Sequence, residues 1–420
     1  MLIKNVVGRQ IFDSRGEPTV EVDVILEDGT IGTFSVPSGA STGENEALEL
    51  RDGDSDYFGK GVIKAANNVN GPLCKLLVGI NVFDQHKIDD ILIEADGTKN
   101  KSKYGANAIL GISMACLKAA ANCKRLPLFK YVGSGESIPI PMMNVINGGA
   151  HADNDLDFQE FMIIPQRDNI KDNMKIGIEV FHSLKSILKS RGEITSVGDE
   201  GGFAPNLNSN REALDLLNLA VLDAGYNVGV DVCYALDVAA STFYKDGLYH
   251  LNSEGKVFTS DELINYYKDL INSYPIISIE DPFYERDFDT LKHFTDSVGD
   301  TVQIVGDDYF VTNKNFLQRG IDIGAGTAIL LKLNQIGTYS EFIDTVNLAR
   351  RSGYNMIISH RSGETEDTTI SDLAVGLCIG QIKTGSLSRS ERVAKYNRLL
   401  RIDEQLAKFQ VETGIFNKEV

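Results

Sequence analysis

No apolar run in this chain is long enough to cross a membrane. Its first residues, MLIKNVVGRQIFDSRG, do not read as a signal peptide, because Arg9 and Asp13 break any apolar core. Basic residues are in deficit: 41 Lys and Arg stand against 59 Asp and Glu, a formal net charge of −18. Such a surface repels phosphate backbones, so non-specific nucleic-acid binding is disfavoured, whereas divalent cations are not. Cysteines are five, at 74, 116, 123, 233 and 378, with no C-x-x-C spacing. An odd count without metal or redox spacing argues against a disulfide framework and for reduced, buried thiols in a cytoplasmic protein. The Gly148-Gly149 pair is no dinucleotide fingerprint, since no G-x-G-x-x-G opens a helix there. Internal repeats and low-complexity segments are also missing.

At 420 residues, 42% hydrophobic and 24% charged, the chain is ordinary for a globular protein and long enough for two or three domains. Residues 19–25 (TVEVDVI) alternate with period two, 27–30 (EDGT) make a turn, and 31–36 (IGTFSV) follow as a second strand. This predicts an antiparallel meander. Residues 36–45, opening VPSGASTG, are rich in small residues and predict an irregular, mobile lid with glycine hinges. Residues 61–124 are helical in pattern. Within them, 105–124 (GANAILGISMACLKAAANCK) is apolar nearly all round, as a buried helix is. A Gly/Ser break at 133–137 sets the boundary between a smaller α+β domain, 1–134, and a larger one, 135–420.

In the larger domain six short apolar runs each stop at charge. Residues 232–236 stop at Asp237, 275–279 at Glu280 and Asp281, and 302–306 at Asp307 and Asp308. Residues 328–331 stop at Lys332, 356–359 at His360 and Arg361, and 379–382 at Lys383. Runs of this length predict strands buried on both faces. Pro282 cannot continue a ladder, which leaves Glu280 at a strand mouth. Helix-start patterns of the form Ser/Thr-x-x-Glu lie between the runs, at Ser209/Glu212, Thr259/Glu262, Thr338/Glu341 and Ser388/Glu391. Alternating strands and helices with charge gathered at one rim predict an α/β fold, a (β/α)8 barrel of the TIM type.

Asp237, Glu280 and Asp307 end different strands. Singly, each is as well explained as a cap or salt-bridge residue. Together at one mouth they repel unless a cation joins them, and oxygen-only ligation favours Mg²⁺ over Zn²⁺. Lys332 and Lys383 end two more strands. Either alone reads as a surface or salt-bridging lysine. At a crowded rim beside a metal, the pKa of each is expected to fall, which suits a general base. His360, Arg361 and Ser362 offer a guanidinium and a hydroxyl before the turn at Gly363, a receptor for phosphate. Glu200 lies in the glycine-rich stretch 197–205 (VGDEGGFAP) as a candidate general acid. His151, Gln159 and Glu160 add polar groups on neighbouring segments. The set suits removal of a weakly acidic proton beside a carboxylate, with cations stabilising the enediolate.

These segments resemble the enolase family over essentially the whole chain. The matching motifs include 13–16 (DSRG), 38–43 (SGASTG), 147–153 (NGGAHAD), 198–205 (GDEGGFAP), 279–282 (IEDP), 306–308 (GDD), 331–338 (LKLNQIGT), 359–367 (SHRSGETED) and 381–385 (QIKTG). The resemblance implies the glycolytic, reversible, Mg²⁺-dependent dehydration of 2-phosphoglycerate to phosphoenolpyruvate. Lys332 would take the C2 proton, and Glu200, with Glu160 near it, would help hydroxide leave from C3. Asp237, Glu280 and Asp307 would hold a first Mg²⁺ and Ser41 in the lid a second. Arg361 and Ser362 would receive the phosphate, while Gln159, His151, His360 and Lys383 would contact substrate or leaving group. Asp281 would support its loop. The resemblance further implies irregular first barrel units with one antiparallel strand, and a cytoplasmic homo-oligomer, either a dimer or an octamer of dimers. The chain departs from the family pattern at Tyr309, at 377–381 (LCIGQ) and at 386–388 (SLS), none of which removes a catalytic group. Two alternatives stand beside this reading: a racemase or cycloisomerase of the same superfamily acting on another carboxylate, and a catalytically idle binding protein on the same scaffold.

Overall fold

The computed structural model describes residues 1–39 and 43–412. The chain opens with a three-stranded antiparallel sheet, β1 (Ile3–Phe12), β2 (Pro18–Leu26) and β3 (Ile31–Ser35), in that order. The period-two pattern of β2 turns Val20, Val22, Val24 and Leu26 inward, all fully buried. They cover the helix Ala106–Cys123, of which 83% is buried. By length and composition alone that helix could cross a membrane, contrary to the expectation that no run is long enough. Here it is the core of the smaller domain.

The strand-to-helix approach depends on Gly32 of β3. A Cβ there would lie 2.2 Å from both the Ala115 carbonyl oxygen and the Ala119 nitrogen. Neither backbone atom can step aside. Gly32→Ala is therefore expected to destabilise the protein by about 3 kcal/mol, read as a lowered chemical-denaturation midpoint. An unchanged midpoint would contradict this packing.

The larger domain is a closed eight-stranded barrel. Its strands are β4 (Ile140–Asn147), β5 (Glu160–Pro165), β6 (Val232–Asp237) and, after a small outer hairpin sheet of β7 (Tyr244–Lys245), β8 (Leu248–Leu251) and β9 (Lys256–Phe258), a further five. These are β10 (Ile276–Glu280), β11 (Gln303–Gly306), β12 (Ala328–Leu331), β13 (Asn355–Ser359) and β14 (Gln381–Lys383). β5 runs antiparallel to both β4 and β6, and every other neighbouring pair is parallel. Met142, Met162, Ile164, Ala235, Val305, Ala328, Leu330 and Ile357 form a separate buried cluster from alternating barrel positions.

Three of the four helix-start patterns cap helices: the Ser209, Thr259 and Thr338 side chains accept from the backbone N–H three residues on. Ser388 does not. Its helix begins at Ser390, Arg389 takes a left-handed φ of 70°, and the Ser388 hydroxyl donates to the Gly201 carbonyl. All five cysteines are free; Cys74, Cys116 and Cys233 are buried, while Cys123 is half-buried and Cys378 exposed, against the expectation of burial. Tyr309 fills a buried position, edge-on to Phe288 with ring centroids 5.2 Å apart.

The two domains are tied by buried polar contacts. Asp89 accepts from the backbone N–H and hydroxyl of Ser340 at 2.9 and 2.6 Å. Ser38 and Gly363 exchange two backbone hydrogen bonds, each 2.8 Å.

Candidate active site

Parallel strands bring their last residues to one rim. Asp237 and Glu280 end β6 and β10, and Lys383 ends β14. Asp307, Lys332 and His360 each follow the last residue of β11, β12 and β13. Because β5 is reversed, its first residue, Glu160, reaches the same rim. In register it pairs with Asn147 on one side and Asp237 on the other.

Lys383 extends its ammonium into the middle of this ring. Nζ lies 2.8 Å from Asp237 Oδ2, 3.0 and 2.9 Å from the two Glu280 oxygens, and 3.0 Å from Glu160 Oε1. Lys332 Nζ is 2.5 Å from Asp307 Oδ2, and the Gln335 amide donates to the other Asp307 oxygen at 2.8 Å. Lowered lysine pKa values were expected beside a metal; among the protein groups alone the balance runs the other way. Burial opposes each ammonium, but Asp237, Glu160 and Glu280 around Lys383, and Asp307 against Lys332, outweigh it, so both stand above the usual lysine range. Asp307 is lowered in return, against its own burial. Glu280 is lifted well above the carboxylate range by burial and then by the Asp237 charge.

Glu200, Glu160 and His151 form a second buried group whose ligand atoms lie within 4.8 Å of one another. Glu200 Oε1 is 3.4 Å from His151 Nδ1 and 3.4 Å from His360 Nε2, and Glu200 Oε2 accepts from Asn144 Nδ2 at 3.0 Å. His360 Nδ1 faces the guanidinium of Arg392 at 2.6 Å. Arginine has only donors, so Nδ1 must accept, which assigns the ring proton to Nε2, toward Glu200. Burial lowers His360 to about 4, so it is neutral at pH 7 and acts as a dipole. Burial and the neighbouring Glu200 charge raise Glu160 well above the carboxylate range, whereas the histidines outweigh burial for Glu200 and lower it. Glu160 Oε2 makes no hydrogen bond among the described residues.

Arg392 is fully buried and donates to the carbonyls of Arg361, Ser362 and Asp199 at 2.6 to 3.0 Å, joining the Glu200 loop to the Arg361 loop. Ser362 Oγ lies 3.4 Å from His151 Nε2. Arg361 forms a forked ion pair with Glu46 of the smaller domain and donates to Asn334 Oδ1 at 3.1 Å. Gln159 donates to Asp237 Oδ2 at 3.2 Å. His151, Gln159, Glu160, Glu200, Asp237, Lys332, His360, Arg361, Ser362 and Lys383 thus line one cavity of about 20 Å³. Glu280 and Asp307 adjoin it through the lysines, and Ser41 lies outside the described residues.

Asp281 sits at φ 43° and accepts from the backbone N–H groups of Asp307 and Asp308 at 2.8 and 2.9 Å. It supports the loop, as the sequence reading held. Asp281→Ala is expected to cost about 1–3 kcal/mol through two orphaned buried donors. Its activity loss should exceed its stability loss, because Asp307 is displaced. Wild-type activity in the variant would contradict this support.

The donor set fits a hard divalent cation. Asp237, Glu280 and Asp307 are buried, offer oxygen only and pair with lysine ammonium groups, but their oxygens do not all come within 4.8 Å of one another. Among the described residues, Gln159 Oε1 is buried without a partner beside them. Asp281, Asp307 and Asp308 also lie close together, but Asp281 is committed to two backbone donors. Sequence reasoning carried Gln335 only as a letter within a motif and missed Glu46. Nothing local marks Arg392, which is one arginine in a long amphipathic helix.

Acids, lysines and an arginine converge on the C-terminal rim of a closed barrel, where enzymes of this architecture carry their active sites. The model for "Enolase, N-terminal domain" matches residues 3–132, and that for "Enolase, C-terminal TIM barrel domain" matches 135–419. The chain belongs to the enolase family and is a lyase of the enolase superfamily.

Proposed function

We propose that this chain catalyses the reversible dehydration of 2-phosphoglycerate to phosphoenolpyruvate. The observation that carries this is one cavity lined by a lysine, two buried glutamates whose surroundings push their pKa values apart, and an arginine and a serine that suit an anion. Lys332 takes the C2 proton. Glu160 and Glu200 act as the acid pair, one of them passing a proton to the C3 hydroxide as it leaves. His151 and His360 orient Glu200, while Arg361 and Ser362 receive the phosphate.

Asp237, Glu280 and Asp307 would hold a first Mg²⁺, and Ser41 would contribute to a second. Bound there, the cations supply positive charge against the charge that builds on the substrate carboxylate. Where a cation shares Asp307, that carboxylate holds the Lys332 proton less strongly, so Lys332 can act as a base. Lys383 supplies positive charge beside the carboxylates. A cytoplasmic, glycolytic homo-oligomer, either a dimer or an octamer of dimers, completes the reading.

Purified chain incubated with 2-phosphoglycerate and Mg²⁺ should generate enol absorbance in the ultraviolet. Absence of product with Mg²⁺ would sink this function. Turnover of an unphosphorylated carboxylate instead would favour the racemase or cycloisomerase alternative.

A further inference from the structure

We propose that Glu46 is a positioning residue of the smaller domain that orients Arg361 to receive the substrate phosphate; this rests on the proposed phosphate role of Arg361. The Glu46 side chain is 6% exposed and that of Arg361 3%. Glu46 Oε2 and Oε1 lie 2.9 and 3.3 Å from Arg361 NH1 and NH2, a two-point fork that sets the plane of the guanidinium. Glu46 is itself anchored. Its Oε1 accepts from the Gly43 backbone N–H at 3.1 Å and from Gln335 Nε2 at 3.4 Å. The Ala47 N–H donates to the Gln335 carbonyl at 2.8 Å, which holds this segment against the barrel.

A carboxylate beside an anion receptor repels the anion, so Glu46 does not add affinity through its charge. It supplies direction to a long, rotamer-rich side chain that would otherwise lose that freedom only when phosphate arrives. Domain docking does not depend on it, since Asp89–Ser340 and Ser38–Gly363 tie the domains elsewhere.

The test uses the full chain loaded with Mg²⁺. Glu46→Ala should raise both the KM for 2-phosphoglycerate and the dissociation constant of inorganic phosphate by roughly tenfold, the measure of one charge-assisted contact, with kcat within about threefold. In an Arg361→Lys background the same substitution should add almost nothing, because the fork it acts through is already gone. An unchanged phosphate constant, tighter phosphate binding, or additivity in the Arg361→Lys background would each overturn the inference. If the wild-type chain does not turn over 2-phosphoglycerate, the proposed function falls. Calorimetric phosphate binding by wild type and Glu46→Ala then decides this inference alone, and a wild type that binds no phosphate refutes it.

Discussion

Lys332→Ala, assayed with saturating Mg²⁺ and 2-phosphoglycerate, is expected to lower kcat by roughly 10³–10⁴-fold, near the upper range of positioned general-base catalysis. Lys332 follows β12 and meets Asp307 at 2.5 Å, so its loss removes both the base and a counter-charge. The two effects separate experimentally. Lys332→Arg keeps a positive charge near Asp307 but cannot give up a proton at working pH, and it should be as inactive as the alanine variant. Wild-type enzyme should also exchange the substrate C2 proton with deuterium oxide, and neither variant should. A loss of less than tenfold, or exchange retained in Lys332→Ala, would remove Lys332 from the role of base.

Chelation of divalent cations should lower turnover by at least roughly 10³-fold, equivalent to about 4 kcal/mol of transition-state stabilisation. The fold should survive. Lys383 pairs with Asp237, Glu280 and Glu160, and Lys332 with Asp307, so no carboxylate of the first proposed site is left without a counter-charge in the metal-free protein. A cation present at about a hundred times its dissociation constant adds about 2.7 kcal/mol of stability, a melting shift of about 3 °C for a chain of this length. Turnover should return when Mg²⁺ is added back. Full activity in the presence of chelator would contradict the cation site, and unfolding on chelation would contradict the lysine compensation.

The rim was readable because apolar runs cut off by charge are local: 232–236 ending in Asp237 and 328–331 ending in Lys332 appear in any short window. Strand direction is not local. An apolar run reads the same either way, so the reversal of β5 was expected only from family resemblance, and with it the arrival of Glu160 at the rim by its first residue. The raised lysine pKa values escaped for a similar reason. Their cause is counter-charge from strands far apart in sequence, and the crowding argument weighed the positive neighbours more heavily than the carboxylates. Ser388 carried a helix-start pattern that the backbone at Arg389 does not use. The β7–β9 sheet was not anticipated, as its strands are two to four residues long.

The barrel closes where β14 pairs with β4, Gln381 opposite Ile140 and Lys383 opposite Met142. The chain from β4 to β14 lies between those partners, so closure waits until residue 383 has been made and carries a large loop-ordering penalty. Until then Asp237, Glu280 and Glu160 have no Lys383 beside them. A growing chain therefore holds clustered, like-charged acids with their ammonium still to be made. Folding and site assembly finish in the same event, and a chain released before residue 383 lacks the barrel's last strand as well as the centre of its chemistry.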